Sequence, residues 1–432
     1  MFDKPAIRRL QGALAVSVLM TGMAAQAATN EQINAAIDKG LDYLANTQAP
    51  GGYWPYYGAY EQAATGAAVY AMLSQKSQWD AGKAAFYQAA VDRGVEYLLA
   101  TATKDAVSTR VDGVPICPGG GSCAGVYWFG NGEATYTTGL VAPAIALYAQ
   151  SNPTAVATGT GPLASMSWRE IAQGITNEFA ATQTVNTSYP WLDGGWRYFP
   201  GNNDSDMSTT QWAVVSMLYN RTLGATVPAA TTALLPNFLG YTQDAVSGAG
   251  CYQGAASGYC DHSDTGGLLL GLGFLGKDAS DPAVQSAVGF LNANWAQPAS
   301  GWWGNFGHPY AMWSVYKGLE TIVGLNDTTH VTGLLDPSCS GGNPANAPTS
   351  GVCNWWQDYN QWLVANQQPD GSWLDYSGYG YWSSPLATAF DLPILGGTQI
   401  PGPHDVPEPE TLGLTGVALA ALAAARRRRK AV

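Results

Sequence analysis

The amino-acid sequence predicts an all-α protein, an (α/α)6 toroid made of six helix hairpins. Three observations predict this fold class. Short turns containing Trp or Tyr recur along the chain, at 52–54, 126–128, 194–196, 250–252, 301–303 and 371–373. A helical pattern of apolar residues lies on each side of every turn, and self-similar units of this kind indicate a repeat architecture. The second helix of each pair is almost free of charge, which is typical of a helix buried on all sides.

The hairpins follow one another from residue 28 to residue 397, which is the predicted extent of the toroid. In the first hairpin, Ile37, Leu41 and Leu44 have helical spacing, and a second helix rich in Ala and Gly follows the turn. The paired segments are 35–48 with 61–74, 89–101 with 132–149, 168–183 with 208–219, 233–243 with 264–276, 282–295 with 309–324, and 356–367 with 384–395. An open array needs polar capping repeats at its ends. The sequence shows none, so we predict a closed ring.

The helix starts are predicted from capping residues. Thr29, Ser167 and Ser208 are each followed three residues later by Gln or Glu, which is the pattern of a capping box. Pro at a first helical position is also typical of a helix start, and it is predicted here at Pro282, Pro309 and Pro385.

The N-terminal segment 1–27 has the pattern of a secretory signal peptide. Lys4, Arg8 and Arg9 precede an uncharged stretch at 10–23, and small residues that fit a cleavage site end at Ala27. The alternative, a short buried helix, does not explain this order of basic, apolar and small residues.

The C-terminal segment has the pattern of a membrane anchor. Residues 398–410 are a predicted linker, 411–425 are uncharged, and 426–430 are five consecutive cations. A helix of this length spans about 22 Å, so it needs flanking arginines to reach across a hydrocarbon core of about 30 Å. The positive-inside rule places the cationic end in the cytoplasm and the toroid outside. We therefore predict a single transmembrane helix with an Arg-rich tail at 411–432.

The order of the tail elements resembles the PEP-CTERM sorting signal of Gram-negative bacteria, with Pro407, Glu408 and Pro409 as its tripeptide. The resemblance implies that the protein meets the inner membrane transiently, that an exosortase removes the tail, and that the protein reaches the cell surface or extracellular matrix. A plain single-span anchor is the alternative and has the same topology.

Six cysteines fall into three close pairs in Gly-rich loops: Cys117 with Cys123, Cys251 with Cys260, and Cys339 with Cys353. Because an exported protein folds in an oxidising compartment, we predict three local disulfides. A zinc site is the alternative, suggested only by the nearness of Cys260 and His262, and adjacent residues rarely reach one metal ion together. We predict no metal and no cofactor.

Composition excludes some classes of function. The chain is 46% apolar and carries a net charge of −12, so it has material for a large core and repels phosphate backbones. We therefore expect no nucleic-acid partner. Exopolysaccharide or an apolar molecule is a more plausible ligand for a chain with 16 Trp and 23 Tyr.

Two turns share the form Q-x3-G-x-W, at Gln48–Trp54 and Gln367–Trp373. They resemble the QW repeats of squalene–hopene cyclases and the related prenyltransferase repeats, and the likeness extends weakly over the other four turns. The resemblance implies an α/α toroid in which Gln and Trp tie outer helices to turns and perform no chemistry.

Those cyclases protonate their substrate with a D-x-D-D motif, in which the middle Asp is the acid. Here the corresponding residues are Asp204, Ser205, Asp206 and Met207, so the second carboxylate of the acid pair is missing. A lone Asp has a pKa near 4. We therefore expect Asp206 or Ser208 to cap a helix, with proton donation by Asp206 as the alternative.

The zinc prenyltransferases of this fold use Asp, Cys and His ligands, but the nearest sequence here, 259–267, has those residues in another arrangement. Asp264 is accordingly expected to be another helix cap. None of the common catalytic motifs occurs in the sequence.

In a closed ring the starts of all the second helices meet at one rim. The residues at or near those starts are Glu61, Glu133, Asp206, Asp264, His308 and Tyr381. They are either six separate helix-start residues or the mouth of a binding site, in which Asp206 and Glu133 are the weak catalytic candidates. Three functions remain open: a surface protein with a binding or structural role, a glycan-active enzyme that uses rim carboxylates, and a terpene cyclase or prenyltransferase.

Overall fold

The computed structural model describes residues 28–56, 60–186, 188–201, 203–335, 354–380 and 382–401. Several of the predicted features lie outside these residues. They are the signal peptide, the Cys339–Cys353 pair, Tyr381, the tripeptide Pro407–Pro409 and the transmembrane segment 411–432.

Twelve α-helices lie in the described part of the chain, and they form six consecutive pairs. The first helices of the pairs are α1 (Asn30–Thr47), α3 (Ala84–Thr101), α5 (Trp168–Thr182), α7 (Ala229–Thr242), α9 (Pro282–Asn294) and α11 (Trp355–Asn366). The second helices are α2 (Glu61–Ser74), α4 (Ala134–Ala149), α6 (Met207–Thr222), α8 (His262–Phe274), α10 (Pro309–Ile322) and α12 (Ser384–Leu395). The predicted helical class is confirmed.

The structure also contains a small sheet that an all-α protein lacks. Strands β1 (Thr103–Val107) and β2 (Cys123–Tyr127) pair in antiparallel fashion between α3 and α4. The side-chain amide of Asn177 on α5 donates to the carbonyl of Ala124, so the hairpin lies against the outside of the helices. Both strands are short and β1 is mostly exposed, so they give no strong alternation in the sequence.

The second helices contact one another in a closed order. Helix α2 packs on α4, α4 on α6, α6 on α8, α8 on α10, α10 on α12, and α12 again on α2. Small residues allow these contacts, because a Cβ atom added to Gly266 of α8 would lie 2.3 Å from the backbone carbon of Ser314 in α10. The first helices keep one polar face, as Ile37, Leu41 and Leu44 of α1 are buried and its charged residues are not.

Four glutamines each join one hairpin to the next: the first to the second, the third to the fourth, the fourth to the fifth, and the sixth to the first. The side-chain amide of each donates to a glycine carbonyl in its own turn and to a carbonyl in the following first helix. These bonds are Gln48 to Gly52 and Ala90, Gln183 to Gly194 and Thr231, Gln243 to Gly248 and Ala283, and Gln367 to Gly371 and Ala36. The last pair connects the sixth hairpin to the first. Gly371 has φ +92°, and a Cβ atom there would lie 2.3 Å from the Lys39 carbonyl oxygen, so only glycine fits.

Four buried tryptophans fix the turns of the first, second, third and sixth hairpins between their two helices. The indole N–H donates to the carbonyl of a first-helix leucine or phenylalanine, and the backbone N–H donates to a second-helix threonine hydroxyl. The sets are Trp54 with Leu44 and Thr65, Trp128 with Leu98 and Thr138, Trp196 with Phe179 and Thr210, and Trp373 with Leu363 and Thr388. This structural role is the one that the resemblance to QW repeats implies.

Two of the three predicted capping boxes are present, at Thr29 and Ser167. The third prediction, a box from Ser208 to Gln211, is wrong. The N-cap of α6 is Asp206, whose side chain accepts from the backbone N–H of Thr209. Gln211 points inward and donates to the hydroxyl of Tyr310, so tertiary contacts determine its position.

Disulfides join Cys117 to Cys123 and Cys251 to Cys260, as predicted. The second bond uses the sulfur of Cys260, so that residue is not a zinc ligand in this structure. No helix in the described ranges is both long and apolar enough to cross a membrane.

Candidate functional site

A cavity of about 380 Å³ opens where the second helices begin. Its walls come from the first turns of α4, α6, α8 and α10 and from the loops that precede α6, α8, α10 and α12. The lining residues are Tyr136, Tyr198, Ser208, Tyr252, Tyr259, Asp261, Ser263, Asp264, Trp302, His308, Tyr310, Tyr379 and Trp382.

Aromatic rings form most of the cavity wall. Tyr310 and Trp382 are stacked, with ring centroids 5.2 Å apart and planes 12° apart. Tyr136 lies on the other side of Tyr310, at 6.3 Å. Trp302 contacts Tyr379 and is 58% exposed, so this pair lies at the mouth. The wall therefore offers ring faces at several depths.

Two carboxyl groups lie at the start of α8. Asp261 is the N-cap, and its Oδ1 accepts from the N–H of Asp264 at 2.9 Å and from the hydroxyl of Ser263 at 2.7 Å. The expectation that Asp264 caps this helix is therefore wrong. Asp264 is in the first turn and 3% exposed, and its carboxyl group receives no hydrogen bond from the described part of the chain.

Burial raises the pKa of Asp261 to about 6. Burial also raises the pKa of Asp264 well above its ordinary value, and the charges of Asp261 and Asp206 add to that effect. The physical cause is the cost of placing a negative charge away from water. The position of Asp264 therefore disfavours an unpaired carboxylate.

His308 precedes α10 at the N-cap position, but its side chain makes no capping bond. Its Nδ1 is buried and has no hydrogen-bond partner within the described ranges. Burial lowers the pKa of His308 to about 4, so the imidazole is neutral at neutral pH. The ring faces the cavity beside Tyr310 and Trp382.

Asp206 is fully buried and does not line the cavity. Its Oδ1 accepts from the N–H of Thr209 at 2.8 Å and from the hydroxyl of Ser208 at 2.6 Å. Its Oδ2 accepts from the Arg197 guanidinium at 2.8 Å. Both oxygens are therefore engaged in holding the start of α6, which is a structural role.

The other rim residues predicted from the sequence are dispersed. Glu61 and Glu133 stand at the starts of α2 and α4 but do not line the cavity. Burial raises the pKa of Glu133, while a hydrogen bond with Tyr60 lowers it. Tyr381 is outside the described residues, although its neighbours Tyr379 and Trp382 are in the cavity wall.

Sequence reasoning missed several lining residues. Asp261 could have been found, because an Asp followed three residues later by an acidic residue before an apolar run indicates a helix start. Trp302, Tyr252 and Trp382 are in loops, and no periodicity in the sequence indicates which way a loop ring points.

Comparisons with known proteins identify the tail. Residues 405–429 match the PEP-CTERM protein-sorting motif, and this stretch includes the predicted tripeptide Pro407–Pro409. The motif indicates an exported protein with surface-associated targeting in Gram-negative bacteria and with processing by an exosortase. The chain thus carries the sorting signal that its sequence suggested.

No curated protein sequence matches the chain. Among solved structures, the chain is similar to a variant of the type II terpene cyclase MstE from Scytonema in complex with its product, merosterolic acid A. The two share 15% sequence identity with a TM-score of 0.44, and the match covers 84% of this chain and 96% of that one.

Proposed function

We propose that this protein is an exported surface protein whose (α/α)6 toroid binds a sugar unit of an extracellular glycan in its cavity. The observation that carries the proposal is the wall of that cavity, in which eight of the thirteen lining residues are Tyr or Trp. Rings of this kind stack on the apolar faces of sugars and of other ring-bearing ligands. In this proposal the chain is made with a signal peptide at 1–27 and a membrane segment at 411–432, and both are removed before the protein reaches the cell surface.

The closed order of contacts among the second helices supports the toroid. So does the bond from Gln367 to Ala36, which joins the last hairpin to the first in the way that the other glutamines join neighbours. In such a ring the second helices begin on one side, and that is where the cavity opens.

The polar groups of the cavity suit a hydroxylated ligand. The carboxyl group of Asp264 and the Nδ1 of His308 have no hydrogen-bond partner within the described residues, and both residues line the cavity. Buried polar groups are normally hydrogen-bonded, so a ligand that supplies hydroxyl groups would satisfy them. A volume of about 380 Å³ is at the lower end of small-molecule sites, which span about 300–1,000 Å³.

A glycan-active enzyme is the second candidate, favoured by one observation. Asp264 is a buried carboxyl group in a ring-lined cavity, and burial raises its pKa well above the ordinary value, as is typical of a general acid. Binding remains the primary proposal, because the second carboxyl group of the wall, Asp261, uses an oxygen to cap α8. Asp206, the acid expected from the cyclase resemblance, has both oxygens engaged.

Glycan binding by two matched tryptophan variants tests the proposal. Trp382→Ala removes a ring from the cavity wall, whereas Trp191→Ala removes a half-exposed ring that does not line the cavity. Because ring stacking on a ligand is worth about 1 kcal/mol or more, we expect Trp382→Ala to weaken binding at least severalfold and Trp191→Ala to leave it unchanged. Calorimetry against oligosaccharides released from exopolysaccharide measures both affinities.

Equal affinity of wild type and Trp382→Ala for every oligosaccharide would contradict a ligand site in this cavity. Hydrolysis of the oligosaccharides that is lost in Asp264→Asn would favour the enzyme over the binding protein.

A further inference from the structure

The charged side chains in the cavity wall are all acidic. Asp261 and Asp264 are the acidic residues in its wall, and none of the thirteen lining residues is Lys or Arg. The lining histidine, His308, is neutral at neutral pH because burial lowers its pKa to about 4. A ligand in the cavity therefore meets carboxyl groups and no opposing cation from the wall.

Neighbouring cations do not neutralise Asp264. Arg197 lies next to the cavity, but its guanidinium is 2.8 Å from the Asp206 carboxylate and 3.5 Å from that of Asp204. Lys317 of α10 is completely buried, and its amine lies 3.4 Å from the centre of the Trp313 ring. Because burial lowers the pKa of Lys317 strongly, it is not a dependable positive charge.

The positions of the two acids differ in a way that matters for a ligand. Asp261 uses one oxygen to cap α8, so its place is fixed by the backbone. Asp264 has no such bond, although its side chain is almost fully buried and lies in the cavity wall. A buried carboxylate without a partner is costly, so this position is suited to a partner that arrives from outside.

Aromatic rings around a carboxyl group form a site for organic cations. An ammonium group within about 6 Å of a ring centroid is attracted by the ring face, and the attraction is stronger where water is excluded. Here Tyr310 and Trp382 present a stacked pair inside the cavity, and Trp302 and Tyr379 present another at its mouth. The rings can therefore replace part of the hydration that an ammonium group loses.

We propose that the cavity selects a positively charged ligand, an amino sugar with a free ammonium group, and that Asp264 is its counter-ion. This inference rests on the proposed function, since it specifies which sugar unit the cavity takes. The ion pair between the ligand ammonium and Asp264 forms without any further reactant. The ammonium keeps its protons, the Asp264 carboxyl group pairs with it as a carboxylate, and the bound pair is neutral.

The test compares two probes that differ in one group. They are oligosaccharides of glucosamine and of N-acetylglucosamine of equal length, measured by calorimetry at about pH 6, where a primary amine is protonated. The purified protein should bind the glucosamine oligomer about tenfold or more tightly, because cation–π contact and ion pairing act only on the charged probe.

Two variants distinguish the effect of Asp264 on binding from the effect of the overall negative charge of the protein. Asp264→Asn has nearly the same shape and should abolish the preference for glucosamine. Glu96→Gln removes one negative charge from an exposed position on α3, away from the cavity, and should keep the preference. Thermal melting of the two variants shows whether each is folded.

The outcomes distinguish the two proposals. Equal affinity for the two oligomers, or a preference that survives in Asp264→Asn, would overturn the amino-sugar inference and leave glycan binding intact. Equal affinity of the wild type for the two oligomers would contradict the inference even if Asp264→Asn failed to fold. Binding of neither oligomer, nor of any other glycan, would overturn the proposed function and this inference with it.

Discussion

Replacement of Asp206 by alanine should destabilise the protein by about 3–5 kcal/mol. The carboxylate is fully buried, caps α6 through Thr209 and pairs with Arg197 at 2.8 Å. Loss of an N-cap costs about 1 kcal/mol, and removal of one partner from a buried ion pair costs about 3–5 kcal/mol. Together these terms reach about 4–6 kcal/mol. The expected loss is lower, because Arg197 is 20% exposed and keeps a contact with Asp204.

The stability of Asp206→Asn should lie between that of Asp206→Ala and that of the wild type. The amide oxygen can still accept from Thr209, so the cap is kept. The amide NH2 then faces the Arg197 guanidinium, and the charge-assisted bond between them is lost, at about 1.5–3 kcal/mol. We therefore expect the order wild type, Asn, Ala in the free energy of unfolding.

Urea unfolding followed by tryptophan fluorescence measures these differences. Asp204→Asn is the matched control, since the Asp204 side chain is 38% exposed and lies 3.5 Å from Arg197. An exposed pair of that kind contributes about 0–1 kcal/mol. Unfolding midpoints of both Asp206 variants that equal the wild-type midpoint would refute the reasoning. Loss of a squalene- or glycan-converting activity in Asp206→Asn without loss of stability would show that Asp206 is a catalytic acid.

Four further predictions follow from the chain and its structure. Surface-released protein should begin near Ala28 and lack the cations 426–430, and intact-mass analysis that finds those cations would contradict exosortase processing. Gln367→Ala should lower the unfolding midpoint, because it removes two half-buried hydrogen bonds worth about 1 kcal/mol each; an unchanged midpoint would show that these two bonds do not stabilise the fold. Burial holds the pKa of His308 at about 4, below the usual 6.5. The contribution of neutral His308 to the free energy of unfolding is therefore complete above about pH 6.5 and is lost as the pH falls towards about 4. Between about pH 6.5 and pH 4 the free energy of unfolding, measured in urea titrations, should fall less in His308→Asn than in the wild type. An equal fall in the two proteins would refute this prediction. Non-reducing peptide mapping should find three local disulfides and no crosslink between pairs, at Cys117–Cys123, Cys251–Cys260 and Cys339–Cys353.

The six hairpins were predictable because their signals are local. Each turn carries its aromatic residue within a few positions of two helical patterns, and each second helix is nearly free of charge. The β1–β2 hairpin was missed because its strands are short and their pairing depends on residues some twenty positions apart. A pattern of four to eight residues gives too little alternation to identify such a strand.

The site was predictable only in its location. Helix starts indicated the rim, and that reasoning named Asp264 and His308, both of which line the cavity. It assigned Asp264 to capping, whereas the cap is Asp261, because two acids three residues apart both fit the start of a helix. Gln211 shows the same limit, since it completes a capping pattern in sequence but is buried and bonded to Tyr310 and Ser314.

The bond from Gln367 to Ala36 also limits the order in which the chain can complete its fold. Its donor directly follows α11 in the last hairpin and its acceptor is in the first, so a chain that emerges N-terminus first cannot make this bond until it has emerged as far as the last hairpin. The sorting motif begins at residue 405, ten residues after the end of α12 at Leu395. The motif therefore follows every helix of the closed order of contacts in the chain. Cleavage at the motif leaves all six hairpins in one piece, together with the bond between the last hairpin and the first.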